Sequence, residues 1–136
     1  MTDHLNIEAR SALMSRIGGR NTNPELVVRS LVHALGYRYR LHVRSLPGTP
    51  DLVFSSRRKI IFVNGCFWHG HEGCTRSKLP KTNVSFWAKK IVANCERDRK
   101  NCTKLKELGW KILVIWECEI RDRERLEKNL VSFLKK

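Results

Sequence analysis

Two cysteines and two histidines crowd into the stretch Cys66-Phe67-Trp68-His69-Gly70-His71-Glu72-Gly73-Cys74, and Cys118 follows a strand-like run much later in the chain. Tetrahedral zinc takes four N or S ligands, with thiolate and imidazole preferred. If these side chains share one ion, the 66–74 loop and the end of the strand before Cys118 must meet at one point. No other feature limits the fold so tightly, because it ties segments far apart in sequence. Five candidates for four positions leave one over. Spacing alone does not choose between His69 and His71 as the fourth ligand. An imidazole outside the metal shell can serve as a general base. Cys95 and Cys102 fall on a helical face instead and read as packing thiols.

The bulk numbers narrow the setting. A chain of 136 residues forms one domain and buries enough surface for a real core. It has no apolar run long enough to span a membrane and no signal-peptide pattern, so neither a membrane nor a secreted setting is expected. Five cysteines, an odd number, fit a reducing cytoplasm where clustered thiols bind metal better than a disulfide framework. Lys and Arg number 27 against 13 Asp and Glu, a net charge of +14. Such a surface attracts polyanions, nucleic acid first among them. No basic amphipathic anchor points to a membrane surface.

Periodicity supplies the elements. Residues 5–17 read as a short helix. A second helix starts at Asn23 as N-cap, with Pro24 and Glu25 in its first turn. Leu26, Leu31, Val32 and Leu35 are expected to form its buried face, and Gly36 its stop. Strands are expected over 37–42, 51–54, 59–64 and 111–117. A long helix runs from 83 to about 108, with Val84, Ala88, Ile91, Cys95, Cys102 and Leu105 on one face. Asp98 falls on that face, where a carboxylate is costly unless paired or metal-bound. A final helix covers 122–136, packing Leu126, Leu130, Phe133 and Leu134. The order predicts an α/β domain with a mixed sheet sandwiched by helices.

Two further groups of residues carry chemistry. Glu25, Asp51 and Asp98 lie on three different elements and can converge. Carboxylates suit Mg²⁺, and Mg²⁺ serves phosphodiester hydrolysis. Each acid also has a plainer use: Glu25 complements a helix N-terminus, Asp51 caps a turn and Asp98 pairs with an arginine. Phe67 and Trp68 sit on a loop that can hardly bury both, and Trp87 begins the long helix. Aromatic side chains stack on bases and wedge open duplex steps. For Trp87 a small satellite core is the competing use.

The segments P-G-T-P-D, I-F-V-N-G-C-F-W-H-G-H-E-G-C, N-C-E-R-D-R and V-I-W-E-C, in this order, resemble the very short patch repair endonucleases from Ser11 to about Arg123. The resemblance implies a restriction-endonuclease-like single domain over 1–136. It comprises a DNA-contacting N-terminal helix (1–20), a catalytic core with structural Zn²⁺ (21–120) and a C-terminal helix (121–136). It implies a Mg²⁺-dependent, monomeric, cytoplasmic bacterial enzyme of DNA repair. Such an enzyme nicks one strand 5′ of the thymine in T·G mismatches left by 5-methylcytosine deamination, with mismatch-repair proteins as further partners. By that likeness Asp51 and the Val63 carbonyl hold Mg²⁺ and His69 is the general base. Asp98 and Glu25 assist, and Cys66, His71, Cys74 and Cys118 hold zinc. Phe67, Trp68 and Trp87 form a major-groove wedge, with Met14 on the minor-groove side. Two departures from the family pattern stand out. Asn64 occupies the place of a second histidine, and cannot shuttle a proton at neutral pH. One extra residue lies between His71 and Cys74, which Gly73 lets a loop absorb. A non-catalytic zinc-stabilised DNA-binding module, a nuclease without mismatch specificity and a zinc-stabilised scaffold for protein partners are the competing readings.

Overall fold

The computed structural model describes residues 23–74 and 78–135. The expected helix at 5–17, the DNA-contacting segment 1–20 and Met14 lie outside the described residues. Helix α1 (Asn23–Ala34) leads into β1 (Arg40–Leu41), β2 (Leu52–Phe54) and β3 (Lys59–Asn64). Helix α2 (Val84–Glu107), strand β4 (Lys111–Trp116) and helix α3 (Arg123–Lys135) complete the order. The strands form one sheet in the order β1-β2-β3-β4. The first two pairings are antiparallel, and β3 with β4 is parallel. A parallel pair needs a long crossover, and α2 supplies it.

Both faces of the sheet are covered. Leu52, Phe54, Ile61 and Ile115 pack with Val28 and Val32 of α1 and Leu126, Leu130 and Leu134 of α3. Val53 and Ile60 pack on the other face with Leu105 and Trp110. A sheet buried on both faces needs apolar residues at every strand position, which is why β3 and β4 read as continuous hydrophobic runs. Each fully buried Val or Leu contributes roughly 1.5–3 kcal/mol of transfer free energy.

Helix ends are locally encoded. After α2, Gly109 takes φ +92°, and the Trp110 N–H reaches back to the Leu105 carbonyl at 3.0 Å. That closure turns the chain directly into β4. Beside this turn, at Lys59, which pairs with Lys111, the buried ammonium donates to the Phe133 and Leu134 carbonyls at 2.6 and 3.3 Å. The cation thereby satisfies the last carbonyls of α3 and its dipole.

Three expectations are corrected. Leu26 is 43% exposed; the buried stripe of α1 is Glu25, Val28 and Val32, turned so that the acid points inward. Val84 is 47% exposed, because the first turn of α2 packs through Trp87 instead. The 37–42 strand shrinks to two residues, since His42 adopts φ +46° and leaves the extended conformation.

Candidate active site and metal centre

The parallel register pairs Asn64 with Trp116 at the ends of β3 and β4. Cys66 and Cys118 each follow two residues later, so both leave the sheet at the same edge. The loop then folds back on itself. The His71 N–H donates to the Cys66 carbonyl at 3.0 Å and the Cys74 N–H to the His71 carbonyl at 3.3 Å. Gly70 and Gly73 take φ +58° and +71°, values an L side chain resists. Ligand atoms of Cys66, His71, Cys74 and Cys118 all lie within 4.8 Å of one another. The His71 ring stacks on Trp116 at 4.1 Å, 5° from parallel, and its Nδ1 is 3.5 Å from the Cys118 sulfur. Glu117 Oε1 accepts the Cys66 N–H at 3.4 Å. Burial and the neighbouring thiols push the Cys66 thiol up to about 12. A soft cation reverses that balance, because a coordinated thiol gives up its proton. The donor set therefore fits zinc.

His69 is directed elsewhere. Its Nδ1 meets Asp98 Oδ2 at 2.5 Å. Three nearby positions of α2 act on this loop: Asn94 donates to the Trp68 carbonyl at 2.9 Å, Cys95 Sγ to the His69 carbonyl at 3.2 Å, and Asp98 takes the ring. Cys95 also packs against Gly70, where an added Cβ would lie 2.7 Å from Ile91 Cγ2 and 2.9 Å from the Cys95 sulfur. Cys95 thus does more than fill core space, and its sequence signal was only its place on the Asp98 face.

Asp51 stands just before β2, at the edge of the sheet where β3 ends. Its Oδ2 accepts the Val63 N–H at 2.7 Å. Burial raises its carboxyl to about 7; the Val63 hydrogen bond opposes this, and adjacent Glu25 adds to it. Glu25 is itself buried, and both of its oxygens lie near His42 Nε2, at 2.9 and 3.0 Å. Glu25, His42 and Asp51 bring their ligand atoms within 4.8 Å of one another. Two carboxylates forced together out of water fit a divalent cation. Sequence reasoning missed His42, since alternation along 37–42 marks it only as a strand residue.

Asp51, Val63, Asn64, His69, Asp98 and Arg99 line one cavity of about 700 Å³. Glu25 and Asp98 do not converge: Glu25 joins Asp51 and His42, whereas Asp98 joins His69. Beside the cavity, Phe67, Trp68 and Trp87 form an edge-to-face trio with centroids 5.4–5.9 Å apart. Trp87 is 2% exposed and backs the half-buried Phe67 and Trp68. Lys90 places its ammonium 4.9 Å above the Trp68 ring.

A carboxylate pair and a carboxylate-held histidine in one groove of a strongly basic chain define a nuclease-type site. The chain belongs to the Vsr family of DNA mismatch endonucleases: residues 2–76 match the family described as DNA mismatch endonuclease Vsr. It is 50% identical over 134 residues, 98% of each chain, to the type II nicking enzyme V.XorIIP of Xanthomonas oryzae. It is 42% identical to V.NmeAIP of Neisseria meningitidis over 94% of both chains. The DNA mismatch endonuclease Vsr of Escherichia coli K12 is 44% identical over 97% of this chain and 84% of its own. The protein is accordingly a DNA endonuclease that acts on mismatches. Among the described residues no helix is long and apolar enough to cross a membrane.

Proposed function

We propose that the enzyme nicks one strand 5′ of the thymine of a T·G mismatch, using Mg²⁺ or a similar divalent ion at Asp51 and structural zinc at Cys66, His71, Cys74 and Cys118. The observation that carries this reading is the shared groove: the Asp51 carboxylate and the Asp98-held His69 line the same cavity. His69 uses its Nε2 to take a proton from the attacking water. Asp98 holds the Nδ1 proton, fixes that tautomer and stabilises the imidazolium that results. Asp51, anchored by the Val63 N–H, and Glu25 hold the cation. When bound, that ion supplies positive charge against the scissile phosphate and the leaving 3′ oxygen. Asn64 lines the groove as an uncharged hydrogen-bonding group, so proton transfer rests on His69.

Phe67 and Trp68 stand on the loop that carries His69, so opening a base step and placing the base are mechanically linked. A wobble mismatch has already weakened its stack, which lowers the cost of inserting an aromatic wedge and favours mismatched over matched duplex. Trp87 supports the wedge from beneath. The basic surface holds the backbone, and binding weakens steeply as salt rises. Cys66, His71, Cys74 and Cys118 would fill all four positions of a bound zinc ion, which suits a structural rather than a catalytic role.

The test is a nicking assay on T·G and matched duplexes with either strand labelled, with Mg²⁺ or with a chelator selective for it. A Mg²⁺-dependent nick confined to the thymine strand of the mismatch is expected. Mismatch binding with no cleavage at any divalent ion would establish a binding module instead. Equal cutting of matched duplex would remove the mismatch specificity.

A further inference from the structure

The Glu25–His42–Asp51 cluster contains a nitrogen donor that an all-oxygen magnesium site does not need. We propose that His42 is a direct ligand of the cation held by Asp51 and Glu25, making this a mixed N,O site that prefers a first-row transition ion such as Mn²⁺ over Mg²⁺. This inference rests on the reading of Asp51 as the cation ligand and names the ion class that it takes.

Three observations carry it. The first is spacing. Adjacent donors around an octahedral ion with bonds of about 2.1–2.2 Å stand about 3 Å apart. His42 Nε2 is 2.9 Å from Glu25 Oε1, so that edge of the coordination shell is already formed. Ligand atoms of all three residues fall within 4.8 Å of one another. Asp51 Oδ2 is committed to the Val63 N–H, which leaves Oδ1 to complete the set.

The second observation is donor chemistry. The His42 and Glu25 side chains are 14% and 3% exposed. Magnesium sheds water reluctantly and keeps several waters when bound. An imidazole where oxygen would be preferred works against it. Imidazole suits the later first-row ions.

The third is backbone geometry. His42 holds φ +46°, in the left-handed region that few non-glycine residues enter. Its N–H remains bonded to the Asp51 carbonyl at 3.2 Å. The turn out of β1 thus occurs at the residue whose ring faces the two acids. A side chain serving only to pin Glu25 needs one hydrogen bond to one oxygen. Here one ring nitrogen stands nearly equidistant from both carboxylate oxygens, so ring and carboxylate flank a point where a cation can replace the shared proton.

The experiment uses zinc-loaded full-length protein with Mn²⁺ as the probe. Electron spin-echo spectroscopy reads ¹⁴N coupling to bound Mn²⁺, and calorimetry gives Mn²⁺ and Mg²⁺ affinities. The variants are His42→Asn, which tolerates the left-handed backbone, His42→Gln, which tests the same loss with a longer amide, and Asp51→Asn. The parent is expected to show imidazole nitrogen coupling and to prefer Mn²⁺. Both His42 variants, with circular dichroism and zinc content like the parent's, should lose the coupling. They should also lose at least about tenfold in Mn²⁺ affinity, with little change for Mg²⁺. Bound Mn²⁺ that depends on Asp51 yet shows no nitrogen coupling in the parent would overturn the role of His42 and leave the Asp51 reading intact. Mn²⁺ affinity indifferent to Asp51→Asn would overturn both.

Discussion

Replacing Asp51 by Asn should make the cation-free protein more stable at pH 8, although it removes a residue assigned to the reaction. The reason is the company Asp51 keeps. Burial raises its carboxyl from 3.8 to about 7, with Glu25 adding to the rise and the Val63 N–H opposing it. Between those pKa values the folded chain holds a proton that the unfolded chain has released, so stability falls as pH rises from about 4 to about 7. At about 1.4 kcal/mol for each tenfold change in proton affinity, the full effect is about 4 kcal/mol. Asparagine keeps an oxygen for the Val63 N–H but no charge. It cannot reproduce every contact, so a gain of about 2–4 kcal/mol at pH 8 is expected, shrinking to near zero at pH 4. For a chain of 136 residues, with about 2.1 cal/mol/K of unfolding entropy per residue, this is a Tm rise of about 7–14 °C. Thermal melts of zinc-loaded protein across pH 4–8, without other divalent ions, measure it. Adding Mg²⁺ or Mn²⁺ should then stabilise the parent and not the variant. A variant that melts no higher than the parent at pH 8, or a difference that ignores pH, would refute the account of a buried carboxylate waiting for a cation.

Asp98→Asn should lower the nicking rate about 10²–10⁴-fold with duplex affinity unchanged, because it removes the charge that supports the His69 imidazolium; single-turnover kinetics beside a binding titration will separate the two. Gly70→Ala should cost about 2–4 kcal/mol, since it combines a left-handed backbone with a Cβ pressed on Ile91 and Cys95. Denaturant melts check that loss, and an unchanged midpoint would mean that the loop is not clamped to α2. Cys74→Ser should release zinc and lower Tm by more than about 10 °C, readable by metal analysis and calorimetry. A zinc-free Cys74→Ser protein that melts like the parent would remove the structural role of the ion.

The sequence alone determined the parts whose cause is local. Apolar runs at 59–64 and 111–117 read as buried strands; β3 appears with the expected ends and β4 is one residue shorter. Capping and periodicity carried the long helix to within a residue at each end. The density of cysteine and histidine after β3, with Cys118 after β4, marks a metal-competent corner. Helical periodicity also placed Asp98 on a face where it needed a partner.

Tertiary structure decided what depends on direction in space. His69 and His71 are chemically identical and two residues apart, so no local rule separates them. The parallel register that brings Cys66 beside Cys118 turns His71 onto Trp116 and into the sulfur cluster. Helix α2 crosses close enough for Asp98 to hold His69. Glu25 read equally well as a helix-terminus charge and His42 as a strand residue. Only the packing of α1 against the sheet, and a left-handed turn at His42, bring both to Asp51. Local preference sets the conformation of a segment, but chelation and proton transfer are set by distances between segments, and those exist only once the chain has folded.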